Sequence, residues 1–188
     1  MLPCLVLAPG NEAIVAACRL ELNAPPYHEM WRLVTAHFVH ESWRHLLANA
    51  LLLLVLHVLF GQYFTMAGTA LRVVAIAPCI SLGLYLNASF DYYLGSSALL
   101  YGLLTFGACR ALDDGWRAGW LVLLALLLKL AAAHHFGPDP AMARFTGLPS
   151  ADEAHLYGML GGLMCWALRR TWTAWSPRWR RHGGAGRA

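Results

Sequence analysis

The chain has 188 residues, 59% of them hydrophobic and only 13% charged, with a formal net charge of +4. A soluble domain carries about a quarter charged residues, so this composition excludes an ordinary water-soluble globule and points to the lipid bilayer. Six of the basic residues (Arg169, Arg170, Arg178, Arg180, Arg181 and Arg187) crowd the C-terminal tail beside Trp172, Trp175 and Trp179. Aromatic anchors next to an apolar run mark a membrane interface rather than a nucleic-acid tail, so no nucleic-acid partner is expected.

The apolar residues fall in runs separated by short polar loops, the pattern of a helix bundle rather than a barrel. The predicted fold class is an all-α polytopic membrane bundle, with five clear spans and a weak N-terminal one. Residues 1–22 form the weak span: Leu2 to Ala8 is apolar, Pro9 and Gly10 interrupt, and Ile14 to Ala17 is apolar again. That is short of the roughly 20 residues a span needs. It lacks the basic start of a secretory signal and is read as the remnant of a helix begun upstream.

Residues 23–44 read as an interfacial loop, with Trp31, Phe38 and Trp43 at the membrane surface. The five spans follow at 45–63, 66–86, 97–109, 118–133 and 154–168, the third looking short. Together 45–168 form the predicted core, and 169–188 the basic tail of a single 1–188 membrane domain. The positive-inside rule places that tail in the cytoplasm. The alternating loops then put nine basic residues inside (Arg72, Arg110, Arg117 and the six of the tail) against three outside from residue 23 onward (Arg32, Arg44, Arg144).

In this orientation His45, Ser97 and His155 all lie near the outer ends of their helices. Polar groups are costly inside a membrane, so three at one depth on non-consecutive helices suggest a site. A buried serine beside a buried imidazole is the minimum equipment for nucleophilic cleavage. His45 and Asn49 are four residues apart and share a helix face. Two such donors can stabilise an oxyanion, although a buried His and Asn also serve as glue between helices.

Gly95 permits a tight approach before Ser97, and the Ser97 amide at a helix start is a free donor. Spacing alone leaves Ser96 and Ser97 as rival candidates, one of them a cap. Gly158 and Gly162 follow His155 at three and seven residues and allow close helix packing. Tyr101, one turn below Ser97, is placed to stack on the imidazole. No Asp or Glu lies in the apolar cores of these helices, which favours a Ser–His dyad over a triad.

These residues resemble the rhomboid intramembrane serine proteases. Trp31-Arg32, His40 and His45-x-x-x-Asn49 look like the family's first loop and second helix. Gly95-Ser96-Ser97-Ala98 with Tyr101 looks like its nucleophile motif, and Ala154-His155-x-x-Gly158-x-x-x-Gly162 its final histidine motif. The resemblance implies Ser97 as nucleophile and His155 as its base. It implies His45, Asn49 and the Ser97 amide as the oxyanion hole, with Tyr101 supporting His155.

A narrower likeness is to the rhombosortases, through the small size, the run Ala154-His155-Leu156-Tyr157-Gly158, and Lys129 ahead of Phe136-Gly137-Pro138. It implies a bacterial inner-membrane protease. Its substrates would be membrane-anchored proteins with a C-terminal Gly-Gly, an apolar helix and a basic tail, cleaved near the outer face. Ala98 replaces the glycine usual after the serine, and a methyl there is expected to narrow substrate choice.

No cofactor is expected. His37, His40 and His45 do not share a helical face, and Cys4, Cys18, Cys79, Cys109 and Cys165 show no metal or redox spacing, so neither a metal nor a disulfide is expected. Lys129 reads as a snorkelling or bundle-paired residue. The alternative function is a catalytically inactive rhomboid-like protein that binds transmembrane helices. A transporter is disfavoured because the polar residues cluster at one depth and no inverted repeat is visible.

Overall fold

The computed structural model describes residues 11–23, 27, 29–87 and 90–182, with side chains to residue 173. Long leucine- and alanine-rich runs favour helix through most of the chain. The chain runs through α1 (Glu12–Cys18), β1 (Leu20–Glu21), α2 (Arg32–Thr35) and a 3-10 turn (Ala36–Phe38). The core follows: α3 (Trp43–Phe60), α4 (Met66–Asn87), β2 (Tyr92–Tyr93), α5 (Ser97–Asp113), α6 (Ala118–Phe136), α7 (Pro140–Thr146) and α8 (Asp152–His182).

Among the described residues, three helices are long and apolar enough to cross a membrane: α3 with its following turn, α4 and α6. They turn Leu51, Leu54, Val58, Leu71, Leu121 and Leu128 outward. In water such a surface would aggregate; in hydrocarbon it is matched. The protein is an integral membrane protein.

Helix α5 is different. Every position from Ala98 to Cys109 is buried, because α3, α4, α6 and α8 surround it. Lipid is as apolar as leucine, so no hydrophobic force drives these helices together; close van der Waals packing must. The α5–α8 seam supplies it with glycine. A Cβ at Gly158 would lie 2.0 Å from the Ala98 carbonyl oxygen, and one at Gly162 would lie 2.0 Å from that of Gly102. At the far end of the seam the Trp166 indole N–H donates to Asp113 at 2.9 Å, and Arg170 lies 3.8 Å from the same carboxylate.

Several elements differ from the sequence reading. The described part of the weak first span is the seven-residue α1, too short to cross a bilayer; residues 1–10 lie outside the described residues. The helices are joined by a two-residue antiparallel pair, Leu20 against Tyr93 and Glu21 against Tyr92. Two residues are too few to show an alternating pattern. The segment read as an interfacial loop folds inward, with Ala36, His37, Val39 and His40 fully buried. The last span does not stop at Leu168: α8 continues to His182, through a stretch in which arginine, a good helix former, takes over from the apolar residues. The remainder of the basic tail, 183–188, lies outside the described residues.

Candidate functional site

Three helix starts converge. Ser42 caps α3, its Oγ accepting from the His45 N–H at 3.2 Å and donating to the Thr146 carbonyl at 2.7 Å. His45 is therefore in the first turn of α3. Ser97 opens α5, and His155 is in the first turn of α8. Because α8 approaches α5 at backbone contact, His155 Nε2 comes within 2.8 Å of Ser97 Oγ. The Tyr101 ring stacks on the imidazole, with centroids 4.2 Å apart and planes 15° apart. The tyrosine thus fixes the imidazole plane, while the seam fixes its distance.

Ser96 points elsewhere. It is 1% exposed and its Oγ lies 3.4 Å from His40 Nε2. Gly95 makes the divergence of the two serines sterically feasible. Its φ is +109°, and a Cβ there would sit 2.7 Å from His45 Cε1 and Nε2. Only glycine accommodates both the left-handed backbone and that imidazole.

A cavity of about 440 Å³ opens beside Ser97. Its polar wall is His45, Asn49, Ser97, Tyr101, Lys129 and His155; its apolar wall includes Leu52, Val55, Met142, Phe145 and Leu148. Asn49 is 2% exposed, yet its Nδ2 has no hydrogen-bond partner among the described residues, and neither has His45 Nδ1. Leaving a buried donor unmade costs about 1–3 kcal/mol. As the first residue of α5, Ser97 has a backbone N–H with no intrahelical acceptor. The cavity is thus bordered by buried polar nitrogens that lack a partner among the described residues. Ala98 is fully buried and is not among the cavity-lining residues. Its methyl therefore does not trim the cavity as expected.

The sequence reading missed one carboxylate. Asp152 Oδ1 lies 3.1 Å from His155 Nδ1, on the side of the ring opposite Ser97. Lys129 on α6 pairs with the same oxygen and lies 3.1 Å from Ser150 Oγ. Ser150 Oγ in turn donates to Asp152 at 2.9 Å. A search confined to the apolar cores passes over Asp152, which stands at the helix start. The available signal was an acidic residue in the first turn, three before His155 and on its face.

His37 and His40 are structural in their contacts. His37 Nε2 lies 3.2 Å from both the Ala77 carbonyl oxygen and Ser81 Oγ. The carbonyl can only accept, so Nε2 carries the proton. Burial pushes the His37 pKa down to about 4. Burial, followed by the nearby His45, pushes that of His40 down to about 3. His40 and His45 meet edge to face at 5.0 Å, while His37 turns away to α4. Among the described residues, no group of three or more His, Cys, Asp or Glu could hold a metal ion.

The Rhomboid domain family model matches residues 27–171, most of the chain and all of the helices that build this site. The protein belongs to the rhomboid family, whose members are in general intramembrane serine proteases. Three curated relatives, one from Mycobacterium bovis and two from strains of Mycobacterium tuberculosis, are each 29% identical over 145 residues. The match covers 72% of this chain and 57% of each relative, so the chain spans little more than half their length. All three are named only as uncharacterized proteins. No solved structure matches the chain.

Proposed function

We propose that the chain is a serine endopeptidase that cleaves membrane-anchored proteins within a single membrane domain, with Ser97 as nucleophile and His155 as general base. The observation that carries this reading is the 2.8 Å contact between Ser97 Oγ and His155 Nε2 at the edge of an open cavity. A base must reach the proton it takes, and this one does.

Ser97 Oγ attacks the scissile carbonyl carbon as its proton passes to His155 Nε2, and the carbonyl electron pair moves onto oxygen. His45, Asn49 and the Ser97 amide receive that oxyanion; each such donor is typically worth about 3–4 kcal/mol of barrier. His155 then gives its proton to the departing amine as the carbon–nitrogen bond breaks, leaving an acyl-enzyme. Water, deprotonated by the same nitrogen, hydrolyses the ester and restores Ser97. Tyr101 holds the imidazole plane throughout. No step calls for a cofactor.

The resemblance to rhombosortases favours substrates with a C-terminal Gly-Gly, apolar helix and basic tail. The same resemblance favours a bacterial inner membrane location, and the arginine distribution favours a cytoplasmic C-terminus with the scissile bond near the outer face. The test is fluorophosphonate labelling of the purified full chain in detergent. Labelling is expected in wild type and Ser96→Ala and absent in Ser97→Ala. Equal labelling of Ser97→Ala would sink the mechanism. A reporter carrying the Gly-Gly tail, co-expressed with the enzyme, tests the substrate class: it should be cut by wild type and left intact by Ser97→Ala.

A further inference from the structure

We infer that Asp152 is a positioning residue that sets the tautomer of His155 against a competing donor, Lys129. The inference rests on the protease reading above. His155 Nδ1 has two neighbours with opposite demands. Lys129 Nζ, 3.2 Å away, can only donate. The Asp152 carboxylate, 3.1 Å away, accepts. If Lys129 donated to Nδ1, the ring proton would have to sit on Nε2. That nitrogen would then donate to Ser97 Oγ instead of accepting from it, and the serine would be left without a base.

Asp152 reverses this in two ways. It accepts the Nδ1 proton, which leaves the Nε2 lone pair facing Ser97. It also engages Lys129 at the same oxygen, helped by Ser150, and so gives the ammonium protons a charged acceptor in place of the ring nitrogen. The three groups come from three places, with Lys129 on α6, Ser150 ahead of α8 and Asp152 on its first residue. The site is thus a dyad with an external tautomer lock. The lock lies at the helix start, where Asp152 is 17% exposed and a charge is less costly than in the apolar core.

The arrangement makes an unusual genetic demand: removing Lys129 should repair the loss of Asp152. The experiment measures fluorophosphonate inactivation of the full chain in detergent, separating kinact from KI, for wild type, Ser97→Ala, Asp152→Ala, Asp152→Glu, and Asp152→Ala combined with Lys129→Met. In this reaction the Ser97 Oγ–phosphorus bond forms, fluoride leaves, and the serine proton goes to Nε2. Asp152→Ala is expected to lower kinact on the order of 10²-fold or more, as a wrong tautomer does in serine proteases, with KI unchanged. Asp152→Glu should retain most of the rate. The double variant should recover at least about tenfold over Asp152→Ala, the two changes being strongly non-additive.

A wild-type kinact in Asp152→Ala overturns the inference, and so does a double variant slower than the single one. A folded wild type that does not label, or a Ser97→Ala protein that labels like it, overturns this inference and the protease reading together. Labelling that depends on Ser97 but is indifferent to Asp152 removes this inference alone.

Discussion

Two adjacent serines each face an imidazole, and the two pairs are built differently. Ser97 and His155 are 2.8 Å apart, border the cavity, and have a carboxylate on the far side of the ring. Ser96 and His40 are 3.4 Å apart, both essentially inaccessible, and His40 Nδ1 has no partner among the described residues. Proximity of hydroxyl and imidazole is common to both. Room for a carbonyl, unpaired donors around that room, and a group that fixes the ring proton belong to one. The left-handed backbone at Gly95 lies just ahead of the point where the two serines part.

The largest expected effect tests that contrast directly. Ser97→Ala should reduce fluorophosphonate labelling by at least about 10³-fold, near the background of a site without its nucleophile, while its melting temperature in detergent stays close to wild type. A folded Ser97→Ala that still labels would erase the distinction between the pairs.

The second test uses the histidines that lack a carboxylate. His37 and His40 are buried and neutral, with pKa values lowered to about 4 and about 3. Below the unfolded value of 6.5 the unfolded chain binds protons that the native one refuses, so stability rises with pH across that window and falls as pH drops through it. Lowering the pH from 6.5 to 5 should cost about 2 kcal/mol for each of the two. Thermal melts across that range should show the loss, and His40→Gln should make the slope shallower. A flat profile in wild type would mean that these rings are not held neutral.

The third change breaks the approach instead of the chemistry. Gly158→Ala puts a methyl where the Ala98 carbonyl now sits. Overpacking of this kind costs about 1–3 kcal/mol, and α8 must back away from α5, taking His155 with it. Labelling should fall more than stability does; a variant with unchanged labelling would mean that the seam does not set the Ser97–His155 distance. The smallest effect is expected from Ser96→Ala. It loses one long hydrogen bond, worth about 1 kcal/mol or less, and should label within about twofold of wild type.

Much of this was legible in the chain. The five longest helices, α3, α4, α5, α6 and α8, fall where apolar runs longer than ten residues predict them, since a helix satisfies its own backbone groups in lipid. The α5–α8 face could be read from Gly158 and Gly162, whose spacing from His155 is helical. The pairing β1–β2 could not, being too short to carry a period. Asp152 was hidden for a different reason. It lies outside the apolar core of its helix, and a carboxylate can serve a buried ring from the first residue of that helix. Lys129 was visible as an unusual intramembrane cation. Its partner emerges only when α6 and α8 are brought together, a contact between residues 23 positions apart. The inward fold of the segment after residue 23 was masked by Trp31 and Trp43, which are exposed and mimic an interfacial loop, while His37 and His40 between them are buried.

The burial of α5 from Ala98 to Cys109 separates the helix that carries Ser97 from the thickness of the membrane. A bilayer thicker or thinner than the helices it surrounds is accommodated by tilt, and that strain acts on surfaces in contact with lipid. Here those surfaces belong to α3, α4, α6 and α8. Transferring the protein between lipids of different chain length should therefore lean the outer helices first and reach Ser97 only through its neighbours. The cavity wall formed by α3 would feel the lipid before the serine did.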